Sequence, residues 1–129
     1  MAGDNVGFVF ENKASGRRIF YAPGLAEIDA MVWEAMTSSD VVMVDGTFWT
    51  DDEMIRLGIS RLRGSQIGHL PQSGAGGMLE WLAKLRPTTR KLLIHINNTN
   101  PILDEHSAER AACNAAGVEV SHDGLEIEL

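Results

Sequence analysis

One cysteine, one tyrosine and four prolines in 129 residues are what this sequence has least of. The lone Cys113 permits no internal disulfide, so burial must hold the fold together. Within the helix expected over Ala108 to Ala116 it reads as a buried small hydrophobe rather than a reactive thiol. Basic residues are also scarce: 11 Lys and Arg stand against 18 Asp and Glu, for a net charge of -7 and a pI near 4.9. Those cations are scattered and form no basic stripe, which excludes a nucleic-acid partner, because phosphate neutralisation needs them clustered. No apolar run approaches the roughly 20 residues that span a bilayer, and Met1 to Phe10 lacks the charged-then-apolar pattern of a secretory leader. The chain therefore reads as cytosolic, without membrane insertion. Repeats and linkers are missing too, and a hydrophobic content of 44% suits one domain over residues 1–129 with a real core.

What is present alternates between strand and helix. Val6 to Glu11 and Arg18 to Tyr21 predict a hairpin around Ala14-Ser15-Gly16, followed by a proline-glycine turn and an amphipathic helix over Ala26 to Met36. Ile28, Met31, Val32 and Ala35 form its apolar stripe. Val41 to Val44 is a short apolar strand that ends on Asp45, and Asp51-Asp52-Glu53 are acids suited to a helix start. The glycine-rich stretch from Gly64 holds no obvious element until Gly76, after which Met78, Leu79, Leu82 and Leu85 have helical spacing. A strand through Leu92-Leu93-Ile94 comes next, then a helix capped by Ser107 and ended by Gly117. Val118 to Val120 and Leu125 to Glu128 are expected to close the chain as strands around His122-Asp123-Gly124. This order predicts an α/β layer with roughly five to six strands, helices on one face, and functional groups at the carboxyl ends of strands.

Chemistry concentrates at that edge. In Lys91 to Ile102 an apolar strand runs straight into His95 and then into Asn97-Asn98-Thr99-Asn100-Pro101. That loop is poor in strand and helix formers but rich in side chains that bond their own backbone. Asp45 ends the neighbouring strand, and His69 sits between them in the glycine-bracketed Gly68-His69-Leu70-Pro71-Gln72-Ser73-Gly74. A histidine with a carboxylate is the minimum for metal ligation or for proton transfer, since imidazole offers a neutral nitrogen and the carboxylate fixes its tautomer. The bland alternatives are a backbone-bonded loop histidine for His69 and a turn-capping carboxylate for Asp45. His106 and His122 read as solvated surface groups. Gly74-Ala75-Gly76-Gly77 is no phosphate loop, because no strand leads into it and no Gly-Lys-Ser/Thr comes after it. Trp33 and Trp81 read as core, whereas Phe48-Trp49 directly after Asp45 could wall a pocket.

Four segments carry a family resemblance: Tyr21-Ala22-Pro23-Gly24-Leu25, Val44-Asp45-Gly46-Thr47-Phe48-Trp49, Gly68 to Gly74, and Ile94-His95-Ile96-Asn97-Asn98-Thr99-Asn100-Pro101. With Gly117 to Val120 and Asp123 to Ile127, they resemble the pyrroloquinoline quinone biosynthesis protein B family over nearly the whole chain. The resemblance implies the carboxyl-terminal half of a metallo-β-lactamase-like αββα sandwich, a partial domain. That family's His-x-His-x-Asp-His ligand motif is absent here, and the usual bridging aspartate after the strand at Tyr21 is replaced by Ala22-Pro23. Together these imply a mononuclear Fe(II) or Zn(II) site in the complete protein, with His95 as a metal ligand. This chain alone, short of the usual three protein ligands, should hold no metal tightly.

The resemblance further implies a role in making the redox cofactor pyrroloquinoline quinone. One form is a metal-dependent oxygenase that hydroxylates the tyrosine ring of a Glu- and Tyr-containing precursor. There His69 gives or takes a proton, Asp45 orients it, and Asn97, Asn98, Asn100 and Trp49 contact the peptide-derived precursor. The alternatives are a carrier that assists transport of the cofactor or its precursor towards the periplasm, and an inactive truncated half-domain. Half a sandwich leaves one sheet face bare, so the expected partner is the missing amino-terminal half or a second copy of the chain.

Overall fold

The computed structural model describes residues 5–129, so the first four residues of the Met1–Phe10 segment lie outside the described residues. Among the described residues no helix is long and apolar enough to cross a membrane. Among the described residues five strands, β1 (Phe8–Glu11), β2 (Arg18–Ala22), β3 (Val41–Asp45), β4 (Arg90–Ile94) and β5 (Val118–Val120), form one sheet in sequential order. β1 pairs antiparallel to β2 and every later pair is parallel. The crossovers carry α1 (Ala30–Thr37), then α2 (Glu53–Arg56) and α3 (Met78–Ala83), then α4 (Ala108–Ala115). Met36 of α1, Met78 and Leu82 of α3 and Cys113 of α4 join one core cluster, so these helices share one face, as right-handed crossovers that all step the same way across a sheet require.

Register identifies that face. Phe20 pairs with Val42, Ala22 with Val44, Val44 with Leu93 and Leu93 with Val120. These side chains form the core with Met36, Met78, Leu82, Leu85 and Cys113. Cys113 is fully buried, as expected, and burial pushes its thiol pKa up, so the group stays protonated and inert near neutral pH. Trp33 and Trp81 are half-buried, pack on this core and meet each other at a ring separation of 5.3 Å.

The opposite face carries the alternate residues. Phe8 and Phe10 stand over Tyr21 and Ile19 and are 52% and 53% exposed, while Val41 and Leu92 further along are buried. The tail after β5 accounts for that difference. It leaves the far edge of the sheet, where the Ser121 amide donates to Leu93, and reaches β1, where Asn12 Nδ2 donates to the Leu129 carbonyl at 2.6 Å. Eight residue steps of about 3.3 Å reach about 26 Å, enough for the roughly 19 Å of four interstrand gaps together with a displacement along the strands. Leu125, Ile127 and Leu129 are half-buried and alternate with exposed Glu126 and Glu128.

Four expectations need correction. Leu125 to Glu128 is not a strand: its alternation comes from lying across an apolar face on a diagonal, away from any ladder, so His122 sits in an exposed turn without a hairpin. The first helix begins at Ala30, not Ala26, because Asp29 takes the N-cap and accepts from the Val32 amide at 2.8 Å. Met31, assigned to its buried stripe, is 81% exposed. The glycine-rich stretch does contain one short element, a 3₁₀ turn over Ser65–Ile67.

β3 and β4 approach very closely where the site begins. The Gly46 amide donates to the Ile94 carbonyl at 2.7 Å, and a Cβ at Gly46 would lie 2.8 Å from Leu93 Cβ and 2.9 Å from the Ile94 oxygen. Gly46→Ala is therefore expected to cost about 1–3 kcal/mol through backbone displacement, read as a lower urea midpoint with unchanged slope.

Candidate metal and proton-transfer site

Parallel strands present their carboxyl ends at one edge, and here the ends of β3 and β4 place Asp45 and His95 side by side, with Asp45 in register with Ile94. His69 arrives from the connection between α2 and α3. Its Nδ1 lies 2.7 Å from Asp45 Oδ2, within the hydrogen-bonding reach expected for an oriented pair. The His69 and His95 rings stack at a centroid distance of 5.4 Å and an interplanar angle of 18°. Phe48, itself buried, sets its ring edge-on to His69 at 5.7 Å.

Asp45 is fully buried, and its carboxylate accepts four hydrogen bonds. Oδ2 takes the Leu25 amide at 2.9 Å and His69 Nδ1. Oδ1 takes the Thr47 amide at 3.0 Å and the Thr47 hydroxyl at 2.6 Å. An ionised carboxylate only accepts, so His69 must carry its proton on Nδ1, leaving Nε2 free.

Thr47 then decides the state of the second histidine. Its single hydroxyl hydrogen has two candidate acceptors, Asp45 Oδ1 at 2.6 Å and the His95 carbonyl at 3.0 Å. A charge-assisted bond is roughly twice as strong as a neutral one, so the nearer, anionic oxygen wins. The Thr47 oxygen is left as an acceptor for His95 Nδ1 at 2.8 Å. Both imidazoles thereby hold Nδ1–H, and both keep the Nε2 lone pair for a metal or a substrate proton.

His95 has a backbone φ of 56°, the one positive φ among the described non-glycine residues. The left-handed conformation costs such a residue about 1 kcal/mol, and strain of this kind is kept where it aims a side chain. His95→Gly is thus expected to be more stable than His95→Ala by about 1 kcal/mol in urea unfolding, although both lose the imidazole.

Ligand-capable atoms of Asp45, His69 and His95 all lie within 4.8 Å of one another. They do not make a three-ligand chelate as placed, since each carboxylate oxygen already has two donors and both Nδ1 atoms are protonated. Two nitrogens ligating one tetrahedral ion at 2.0–2.1 Å sit roughly 3.3 Å apart, whereas the two ring centroids here are 5.4 Å apart. The arrangement suits His95 Nε2 as a ligand with His69 Nε2 beside the ion.

The asparagine loop divides. Asn100 is buried: its Nδ2 donates to the Gly46 carbonyl at 2.9 Å and to Gln72 Oε1 at 2.7 Å, and its Oδ1 accepts the Ile102 amide. That engagement corrects its assignment as a substrate contact, because no amide group remains to offer. Asn97 is half-buried and donates to Thr99, Asn98 is exposed, and Trp49 is half-buried against the core. His106 and His122 are exposed, as expected. Sequence reasoning missed Thr47, Gln72 and the buried Glu53, whose carboxylate accepts from the Trp49 and Thr50 amides and from the Thr99 hydroxyl. Only Thr47 had a signal, the Asp-Gly-Thr spacing that folds a side chain back on its own turn.

Residues 1–96 match the model described as Beta-lactamase superfamily domain. The chain belongs to the beta-lactamase superfamily. Within it, the chain is 61% identical over 127 residues to "Coenzyme PQQ synthesis protein B" of Azoarcus sp. (strain BH72), covering 98% of this chain and 42% of that protein. The protein of that name from Pseudomonas protegens is 58% identical over the same shares. The crystal structure of Zn(2+)-bound PqqB from Methylobacterium extorquens superposes with a TM-score of 0.88 at 38% identity, covering 95% of this chain and 43% of that one. These relatives bear out the resemblance read from the sequence and its fold class. The chain spans less than half the length of the relatives it matches.

Proposed function

We propose that this chain supplies the proton-transfer half of a metal-dependent enzyme of pyrroloquinoline quinone biosynthesis, which hydroxylates the tyrosine ring of a Glu-Tyr precursor. The observation that carries the reading is the Asp45–Thr47 hub, which sets both histidines to present Nε2 at one edge. The relatives are named for synthesis of that coenzyme, and one was solved with Zn2+. His95 fits a metal by donor chemistry: an exposed ring with its other nitrogen fixed by a hydroxyl acceptor. A single Fe(II) or Zn(II) suits the site, because the turn after β2 is Ala22-Pro23-Gly24 and brings no carboxylate. Bound there, the ion would supply Lewis acidity and, if iron, a place for oxygen.

This chain's residues do the rest. His69, held by Asp45, takes a proton at Nε2 and returns it, and the imidazolium that forms is stabilised by the buried carboxylate 2.7 Å away. Asn98 and Trp49 are the groups left to meet the precursor. The remaining ligands come from the amino-terminal half of the longer protein, which covers the exposed Phe8 and Phe10; a second copy of the chain is the substitute when that half is missing.

In a protein of the relatives' full length, His69→Ala is expected to lower turnover by about 10²–10⁴-fold with metal content unchanged. Loss of the metal on that substitution would make His69 a ligand and overturn its assignment.

A further inference from the structure

Two buried amides join the loops that carry the histidines, and neither has a part in the chemistry described so far. Asn100 is 2% exposed and Gln72 is fully buried. The Ile102 amide at 3.1 Å fixes Asn100 Oδ1, because an N–H needs an acceptor, and that commits Nδ2 to the other side. Its two hydrogens go to the Gly46 carbonyl at 2.9 Å and to Gln72 Oε1 at 2.7 Å, with the Thr47 carbonyl within 3.4 Å. Gln72 is oriented in turn, and its Nε2 reaches the Asp45 carbonyl at 3.5 Å. The His69 loop and the His95 loop are thus tied to each other and to the end of β3. A matched pair of apolar side chains would fill this space at little cost in stability, so what the amides add is placement.

That placement converges on one peptide. The Gly46 amide donates to the Ile94 carbonyl at 2.7 Å, the Gly46 carbonyl accepts from Asn100, and the Thr47 carbonyl accepts the Asn97 amide at 3.1 Å. Gly46 and Thr47 are therefore gripped from both sides of His95, by Ile94 before it and by Asn97 and Asn100 after it. His95 needs such a grip. Its left-handed φ of 56° persists only where the surroundings over-determine it, and relaxing it would move the ring away from the Thr47 oxygen, 2.8 Å from Nδ1. Of the three bonds only the one from Asn100 is made by a side chain, so it alone is open to substitution.

We propose that Asn100 is a positioning residue for His95: through the Gly46–Thr47 peptide it holds the Thr47 oxygen against His95 Nδ1 and so keeps Nε2 as the free nitrogen. Gln72 holds the Asn100 amide in the orientation this requires. The inference rests on the histidine assignment above and deepens it by naming the residue that enforces it.

The test uses the 129-residue chain, stripped of metal by a chelator, and reads the imidazole tautomers by long-range ¹H–¹⁵N correlation. Asn100→Ser is the informative variant, since a serine oxygen still accepts the Ile102 amide as a cap but does not reach Gly46 or Gln72. The ratio of Nδ1–H to Nε2–H at His95 is expected to fall by about fivefold, the factor one ordinary hydrogen bond sets, while His69, held by Asp45 at 2.7 Å, keeps its ratio. In a Thr47→Val background the same substitution should change His95 no further. Gln72→Met, of similar volume, frees the Asn100 amide to turn and should shift His95 in the same direction, which decides the matter if Asn100→Ser does not fold. A folded Asn100→Ser or Gln72→Met with His95 as in wild type would overturn the proposal. So would an equal change at both histidines, or a further change over Thr47→Val, either of which makes Asn100 a brace of the whole loop. Protonated Nε2 at His95 in the wild type would overturn the histidine assignment and this proposal with it, whereas failure in the variants alone leaves that assignment standing.

Discussion

Asp45→Ala is expected to remove about 3–5 kcal/mol of stability, a large part of the 5–15 kcal/mol available to a domain. The change strands four donors at once: the Leu25 and Thr47 amides, the Thr47 hydroxyl and His69 Nδ1–H. Asp45 is fully buried, so water does not replace the lost carboxylate without opening the edge of the sheet. Asp45→Asn keeps the shape and one acceptor oxygen, and should cost less, about 1–3 kcal/mol, while presenting an N–H to a group that now faces a donor. Urea unfolding of the three proteins checks the order: wild type above Asp45→Asn above Asp45→Ala. An Asp45→Ala midpoint within about 0.5 kcal/mol of wild type would mean that the carboxylate is a solvated turn cap and not a hub.

The second large effect belongs to His95. In a full-length protein, His95→Ala should weaken Fe(II) or Zn(II) binding by more than the about 10–100-fold that loss of a mere supporting residue costs, because it deletes a donor atom. In this chain alone the same substitution should change metal affinity hardly at all, since one free imidazole nitrogen beside a second, parallel ring makes a weak site to begin with. Metal titration with chelator competition, run on both lengths, separates these cases. Unchanged affinity in the full-length variant would remove His95 from the metal site. Tight stoichiometric binding by the short chain, equal with and without His95, would assign the ligands to another cluster.

Much of this was legible because local signals and tertiary demands agreed. Leu92-Leu93-Ile94 and Val41 to Val44 are short apolar runs that only a covered parallel sheet satisfies, and both ended on the polar residues that form the site. The Asp45–His69 contact was legible from strand-end logic, since the glycine-bracketed loop had to return to the same edge. Thr47 was not, because a threonine after Asp-Gly looks like turn chemistry, and its role depends on His95, which arrives from another strand 48 residues later. Asn100 misled for the complementary reason: in sequence it is one of three equivalent amides, and only packing puts it under Gly46 while Asn98 stays in solvent. Leu125 to Glu128 has a strand's period, but pairing needs an edge to run along, and the tail crosses the sheet instead.

The central claim is that Asp45 and Thr47 fix both histidines with the proton on Nδ1, so that Nε2 is the working atom. Long-range ¹H–¹⁵N correlation of the imidazole side chains near neutral pH reads this directly. The account predicts Nδ1–H with unprotonated Nε2 for both His69 and His95, and in Thr47→Val loss of that preference at His95, while Asp45 Oδ2 at 2.7 Å keeps it at His69 although the 3.1 Å contact of His69 Nδ1 to the Thr47 oxygen is also removed. Protonated Nε2 on either ring in the wild type, or a Thr47→Val spectrum with His95 unchanged, would contradict it.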